Sequence, residues 1–406
     1  LIKLINVLAR VAMSAKWITA EEAQARLGVK LQTLYAYASR GLIAGRADAD
    51  DPRRSLYAAD DIMRLSLRKG RGRPGVHQGA DRVGDSPLAW TEPAVVSAVA
   101  AVSDGRLFYR GRDAIEMAET ATLEETARLL WRCEGEDPFM GIAPHPALVT
   151  GPDPRARAFA LLAHRAAHDP ATSGRAPNAL KREAASILTD LVDAVCGQAR
   201  NGPLHDRLAK AWRLEGLKAD IVRRALVLAA DQELTPSSLA VRVAASTGAP
   251  LAASVLAGLS TYAGPLHGGM TAQVAGFIAE ARRVSDARQA AMQRLAQGLD
   301  VPGFGHPMFP NGDPRARSMA DGLRYADGLF EIAAAGEAVT GQAPNLDFAL
   351  VAMARTLGLP VDAPQTIMLI ARAAGWLGHA LEQRVEGAAI TPRVRYTTDE
   401  DAANAA

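Results

Sequence analysis

The run from Val301 to Arg317, VPGFGHPMFPNGDPRAR, restricts the fold of this chain more than any other stretch. Pro302, Pro307, Pro310 and Pro314 lack the amide hydrogen that a helix interior needs, so the segment reads as a stiff loop. Gly303 and Gly305 open backbone angles closed to other residues and let the chain pass close to a ligand. A rigid loop with one histidine, His306, and one arginine, Arg315, suits the holding of a polarised oxygen and a carboxylate. A Gly/Pro surface turn is the plainer account, and two further loops weigh against it. GPLHGG (Gly264 to Gly269) sets His267 among glycines ahead of a helical pattern from Met270 to Arg283. APNLDF (Ala343 to Phe348) sets Asp347 after a Pro-Asn turn signal and before an apolar helix. Two histidines and an aspartate in separate loops between helices are the makings of an acid/base site.

The rest of the chain reads as mainly helical. It is Ala-rich, 49% hydrophobic and poor in β-branched runs. Helices are expected over Glu124 to Cys133, Arg155 to His168, Leu180 to Cys196, Val222 to Ala230 and Ile367 to Glu382. The last carries Arg372, Trp376 and His379. Val95 to Val102 and Leu107 to Tyr109, joined by Asp104-Gly105, predict a hairpin. No apolar run approaches the ~18 residues of a membrane span. The two cysteines, Cys133 and Cys196, fit no CxxC or metal spacing and point to a reducing, cytoplasmic setting. His164 and His168 stand at i, i+4 but no third ligand accompanies them, so no metal is expected. No P-loop, GxGxxG or Gly-x-Ser-x-Gly elbow is present.

GPLHGG, GFGH followed by DPRA, and PNLDF, in this order, resemble the signature of the citrate synthase family. The likeness extends to DGRLFYRG (Asp104 to Gly111) and to ARAAGW with His379 and Glu382, and so spans Pro87 to Thr397. The resemblance implies a mainly α-helical, dimeric enzyme with a large domain over 87–270 and 365–406 and a small one over 271–364 that closes on the substrates. It implies condensation of acetyl-CoA, or a related acyl-CoA, with oxaloacetate or a similar 2-oxoacid, and no cofactor beyond the acyl-CoA. Asp347 would be the base, His267 the donor at the thioester carbonyl, and His306 the group that polarises the ketone. Arg315 and Arg372 would hold carboxylates through paired donors. Gln232, in DQEL, stands where the family commonly has a histidine; it is expected to bind the substrate, donating a hydrogen bond to the 2-oxoacid without carrying charge. Thr391 replaces an arginine of the family's I-R-P-R, a role that Arg393 or Arg395 could take over by a shift. Pro307 and Pro310 stand where basic residues are common. These departures leave room for a 2-methylcitrate-synthase-like activity, or for a catalytically weak DNA-binding regulator that senses a metabolite.

The N-terminal 75 residues carry 14 Lys+Arg against 7 Asp+Glu, while the whole chain has a net charge of only +2. Arg10 interrupts the apolar run of a signal peptide, and Met13 is the expected natural start. Thr19 and Glu22 have capping-box spacing, and helices are expected over Ala20 to Leu27, Leu31 to Arg40 and Ala58 to Leu67. The run ITAEEAQARLGVKLQTLYAYASRGLI resembles the winged helix-turn-helix head of MerR-like and excisionase-like proteins. That likeness puts Lys30, Gln32, Thr33 and Tyr35 on a recognition helix, with Arg53 and Arg54 in a wing over phosphates. A head over 1–68 and a Gly-rich, charged linker over 69–86 complete the predicted layout.

Overall fold

The computed structural model describes residues 17–27, 34–35, 37–38, 43–47, 54–58, 62, 96–135, 137–142, 151–284, 286–326, 328–387 and 389–391. The chain divides into two compact units, Leu1–Ala80 and Asp81–Ala406.

In the first unit, strand β1 (Trp17–Thr19) leads into helix α1 (Ala20–Leu27). The capping box forms as the sequence predicts. The Glu22 amide donates to Thr19 Oγ1 at 3.2 Å, and the Thr19 amide to Glu22 Oε2 at 3.4 Å. Leu34, Tyr35, Tyr37 and Ala38 are helical, within the second predicted helix. The third helix does not begin at Ala58. Ser55–Ala58 is strand β3, paired antiparallel with β1 and with β2 (Gly45–Ala47). The cause is pairing on both sides, with Tyr57 opposite Ile18 of β1 and Gly45 of β2, which sinks the Tyr57 ring beside Ile18, Leu34, Ile43 and Ile62. The linker predicted over 69–86 lies outside the described residues.

The second unit opens with the predicted hairpin, now β4 (Ala100–Ser103), β5 (Arg106–Tyr109) and a short β6 (Arg112–Asp113). Asp104 and Gly105 turn it with φ of 50° and 73°, the double left-handed turn that matches strand twist. The strand starts later than Val95 because Ser97 Oγ and the Ala98 amide bond to Glu382 instead, at 2.7 and 3.2 Å.

Fourteen helices follow among the described residues: α2 (Ala114–Thr120), α3 (Leu123–Leu130), α4 (Pro154–His168), α5 (Pro177–Cys196), α6 (Leu204–Ala211), α7 (Leu217–Leu228), α8 (Pro236–Ser246), α9 (Leu251–Tyr262), α10 (Met270–Val284), α11 (Ala287–Ala296), α12 (Pro314–Gly322), α13 (Leu329–Thr340), α14 (Leu346–Leu357) and α15 (Ala363–Glu386). Proline opens α4, α5, α8 and α12, where its missing amide hydrogen has no helical acceptor to serve. The predicted stiff loop therefore ends at Asp313, and Pro314 starts a helix that carries Arg315.

The main core gathers around α15, which is buried along most of its length, with Trp376 fully enclosed and Arg372 and His379 also inside. A second apolar cluster joins α10, α11, α13 and α14 to Val301 and Phe304. Phe304 lies against the Phe277 and Phe348 rings, with centroids 6.2 and 5.4 Å away. This aromatic anchor seats the loop that precedes His306.

Candidate active site

Two of the three predicted loops are tied together by backbone. The Gly305 amide donates to Ala343 O, and the Asn345 amide to Gly303 O, each at 2.9 Å. Gly303 and Gly305 both have positive φ, and a Cβ on Gly305 would lie 1.9 Å from Gln342 Oε1, so only glycine fits there. Asn345 caps α14. Its Oδ1 accepts from the Asp347 and Phe348 amides, and its Nδ2 donates to Gly305 O at 3.0 Å. Asp347 thus lies inside the first turn of α14 rather than ahead of the helix.

His306 stands at the end of this clamp. Its Nδ1 accepts from the Met308 amide at 3.1 Å, and its Nε2 lies 2.7 Å from Gln232 Nε2. Gln232 Oε1 in turn accepts from Arg315 Nη1 at 2.6 Å and from Arg372 Nη2 at 3.0 Å. Arg315 is fixed by a fork onto Asp313, with Nε to Oδ1 at 2.9 Å and Nη2 to Oδ2 at 2.8 Å, and its guanidinium lies over the Phe309 ring. Arg372 has no such carboxylate in hydrogen-bond contact. It is 7% exposed, and its Nη1 has no hydrogen-bond partner among the described residues. Sequence reasoning had put Gln232, His306, Arg315 and Arg372 into one site, and the structure brings them into one hydrogen-bonded cluster.

His267 is held from another side. Its Nε2 lies 2.8 Å from Ser237 Oγ, which also accepts from Trp376 Nε1 at 3.2 Å. Thr235 Oγ1 also lies 3.1 Å from Ser237 Oγ; when the Ser237 hydroxyl donates to His267 Nε2, the ring proton sits on Nδ1. The Tyr262 ring meets His267 edge-on at 5.3 Å. Ser237, Asp313 and Asn345 were not singled out from sequence. Asp313 and Asn345 belong to helix-start patterns, D-P and P-N-x-D, that point equally to ordinary caps.

The electrostatics separate the three reactive groups. Burial, then the charge of Arg372, brings the His267 pKa down to about 4. Burial, then Arg315, does the same for His306, also to about 4. Burial pushes Asp347 up to about 6, against the pull of Arg315 and Arg372. At neutral pH the site therefore holds two uncharged imidazoles, each able to donate one N–H, and a carboxylate basic enough to take a proton. Burial works against Asp313, yet Arg315 holds its carboxyl below the usual range.

Lys30, Gln32, Thr33, Arg53 and Arg393 lie outside the described residues. Tyr35 is helical and half exposed, and exposed Arg54 precedes β3. Thr391 is exposed and follows Ile390, whose amide donates to Ser246 Oγ at 3.1 Å. His164 and His168 stack on each other at 4.4 Å, and no group of three or more metal-ligating side chains occurs among the described residues. No helix among them is long and apolar enough to cross a membrane.

Comparison with known proteins gives a consistent result. The sequence model described as "Citrate synthase, C-terminal domain" matches residues 156–393. A citrate synthase of Haloferax volcanii is 28% identical over 357 residues, covering 73% of this chain and 91% of that protein. A citrate/2-methylcitrate synthase of Bacillus subtilis is 32% identical over 191 residues, covering 44% of this chain and 51% of that protein. The fold is shared with a citrate synthase of Thermoplasma acidophilum solved as a ternary complex with carboxymethyl coenzyme A and oxaloacetate. The TM-score there is 0.62 at 20% identity, over 76% of this chain and 94% of that one.

Proposed function

The chain belongs to the citrate synthase family, and from that premise we infer that His267, His306 and Asp347 join an acyl-CoA to a 2-oxoacid. It is an acyltransferase of the kind that converts the acyl group to an alkyl group on transfer, and the family's reaction draws on no group beyond the acyl-CoA itself. Asp347 takes a proton from the carbon next to the thioester carbonyl, while His267 Nδ1–H donates to the carbonyl oxygen as enol character develops. The enol carbon attacks the ketone carbon, and His306 gives its Nε2 proton to the oxygen that becomes a hydroxyl. Water then cleaves the thioester and frees the CoA thiol. Arg315 and Arg372 take the carboxylate of the 2-oxoacid.

One observation carries this reading most. Arg372 is buried with no carboxylate in hydrogen-bond contact among the described residues, the more distant charge of Asp231 favours it, and its own charge acts on His267, His306 and Asp347 alike. Such a guanidinium is costly unless an anion joins it. A thiol-release assay against a panel of acyl-CoAs and 2-oxoacids tests the reading; release with no pair would overturn it. The Bacillus subtilis relative keeps a 2-methylcitrate-type activity, with a longer acyl chain, as the second reading.

The layout predicted from sequence belongs to the same proposal. The second apolar cluster supports a small domain over 271–364 beside a large one over 87–270 and 365–406. The family likeness supports a homodimer, and the two free cysteines a cytoplasmic setting. For residues 1–68, the capped α1, the helical Leu34, Tyr35, Tyr37 and Ala38, the β3-centred sheet and the basic charge support a winged DNA-binding head.

A further inference from the structure

Three donors converge on Gln232, and they need more acceptors than it has. The Met308 amide donates to His306 Nδ1, so a neutral ring carries its proton on Nε2, the atom 2.7 Å from Gln232 Nε2. An NH₂ group then faces an N–H. Turning the amide gives His306 an oxygen but sets the NH₂ against Arg315 Nη1 and Arg372 Nη2, which the oxygen now serves at 2.6 and 3.0 Å. Moving the ring proton to Nδ1 only transfers the conflict to the Met308 amide. Gln232 Nε2 reaches Met308 Sδ at 3.6 Å, but in each of these three arrangements the cluster stays one acceptor short, and Arg372 Nη1 has no partner among the described residues either. Gln232 itself is 7% exposed, so bulk water does not readily fill the deficit. A carboxylate, with two oxygens and about four lone-pair positions, is the group that these donors fit.

We propose that Gln232 is a positioning residue that acts as a neutral placeholder for the 2-oxoacid carboxylate. Its amide oxygen sits on Arg315 and Arg372 and gives way when the substrate anion arrives. Displacement releases His306 Nε2–H from the amide and frees it to donate to the ketone oxygen. Carboxylate binding and the arming of His306 are thereby one event. A charged side chain at this position would compete with the substrate. A neutral amide holds the arginines apart from each other and still yields.

The identity of the displacing anion rests on the condensation reading; the acceptor deficit does not. Two readouts on full-length protein separate the two. Without any substrate, Gln232→Glu supplies the missing oxygen and is expected to raise Tm by about 2 °C or more at neutral pH. Gln232→Ala removes the one hydrogen bond that Arg372 makes among the described residues and is expected to lower it. If Gln232→Glu melts at or below the wild-type temperature, the amide is not occupying an anion site and the proposal falls. In calorimetric titrations with oxaloacetate as probe, Gln232→Glu should weaken binding at least tenfold, while Gln232→Ala should bind as tightly as wild type or tighter. Equal weakening by both variants would show that Gln232 is an ordinary substrate ligand and would overturn the placeholder role. Intact melting and titration results without thiol release from any acyl-CoA would count against the condensation reading alone.

Discussion

At the residue scale, the division of labour follows from burial acting in opposite directions on acids and bases. It raises the carboxyl of Asp347 to about 6 and lowers the imidazoles of His267 and His306 to about 4. In the proposed role of base Asp347 works ionised, so kcat/KM for the acyl-CoA should fall as pH drops through about 6. Asp347→Asn is expected to reduce thiol release by roughly 10²- to 10⁴-fold, the usual range for a positioned base. The same residue has a stability signature. Between its unfolded value near 4 and its folded value of about 6 the native state holds the extra proton, so its contribution to stability falls as pH rises through that window. Asp347→Asn should therefore raise Tm at pH 7 and change it less at pH 4. A variant with wild-type turnover, or with no pH dependence in its Tm gain, would remove Asp347 from the role. The histidines work the other way. Their folded values lie below the unfolded ~6.5, so the stability they contribute is present above that value and is lost as pH falls toward about 4. Replacing His267 by Gln should flatten the acid side of the Tm profile; an unchanged acid limb would contradict the buried, neutral assignment.

At the element scale, what was legible in sequence was where helices start and which loops carry chemistry. The Thr19–Glu22 box and the Asp104-Gly105 turn are local devices, and local devices are written in a few adjacent residues. Their outcome does not depend on the rest of the fold. The misses have the opposite character. Ser55–Ala58 became a strand because partners more than eight residues away complete its sheet, and β4 was shortened because Glu382 captures Ser97 and Ala98. The Gln232 cluster was expected from motifs, but its acceptor shortage emerges only when three separate elements converge. Packing between elements gives a further test. A Cβ on Gly336 of α13 would come within 2.1 Å of the Phe304 ring, two residues before His306. Gly336→Ala should therefore cost about 1–3 kcal/mol through overpacking and lower turnover by displacing the His306 loop. Gly276→Ala in α10, where a Cβ meets nothing within 4 Å, is the control and should be neutral or stabilising by about 0.5–1 kcal/mol. Equal behaviour of the two variants would show that the Phe304 anchor does not govern the site.

At the scale of the whole molecule, charge is distributed as though the chain's two units meet different partners. The first 75 residues hold 14 basic against 7 acidic side chains, although the chain as a whole is close to neutral at +2. A condensing enzyme has no chemical need for such an arm, whereas a duplex binder gains most of its affinity from displacing counterions. The described part of this unit has its own small core, with Ile18, Leu34, Ile43, Tyr57 and Ile62 buried together, and keeps Tyr35 and Arg54 outside it. A compact first unit with basic and aromatic groups outside its core suits the proposed groove and phosphate contact. If Arg53, Arg54, Arg71 and Arg73 each neutralise one phosphate, the log–log salt slope should be near −3.6, at about −0.9 per phosphate. Affinity should then fall roughly 100-fold between 50 and 200 mM salt. Removal of residues 1–68 should leave only the weak contribution of Arg71 and Arg73, cutting binding to genomic fragments steeply in a fluorescence titration, and leave thiol release unchanged. A truncated protein that binds as well as the full chain would identify the head as an assembly module, and with it the regulatory reading would fall. Loss of both activities on truncation would instead mean that the body needs the head to fold, which a thermal melt of the truncated chain would reveal directly.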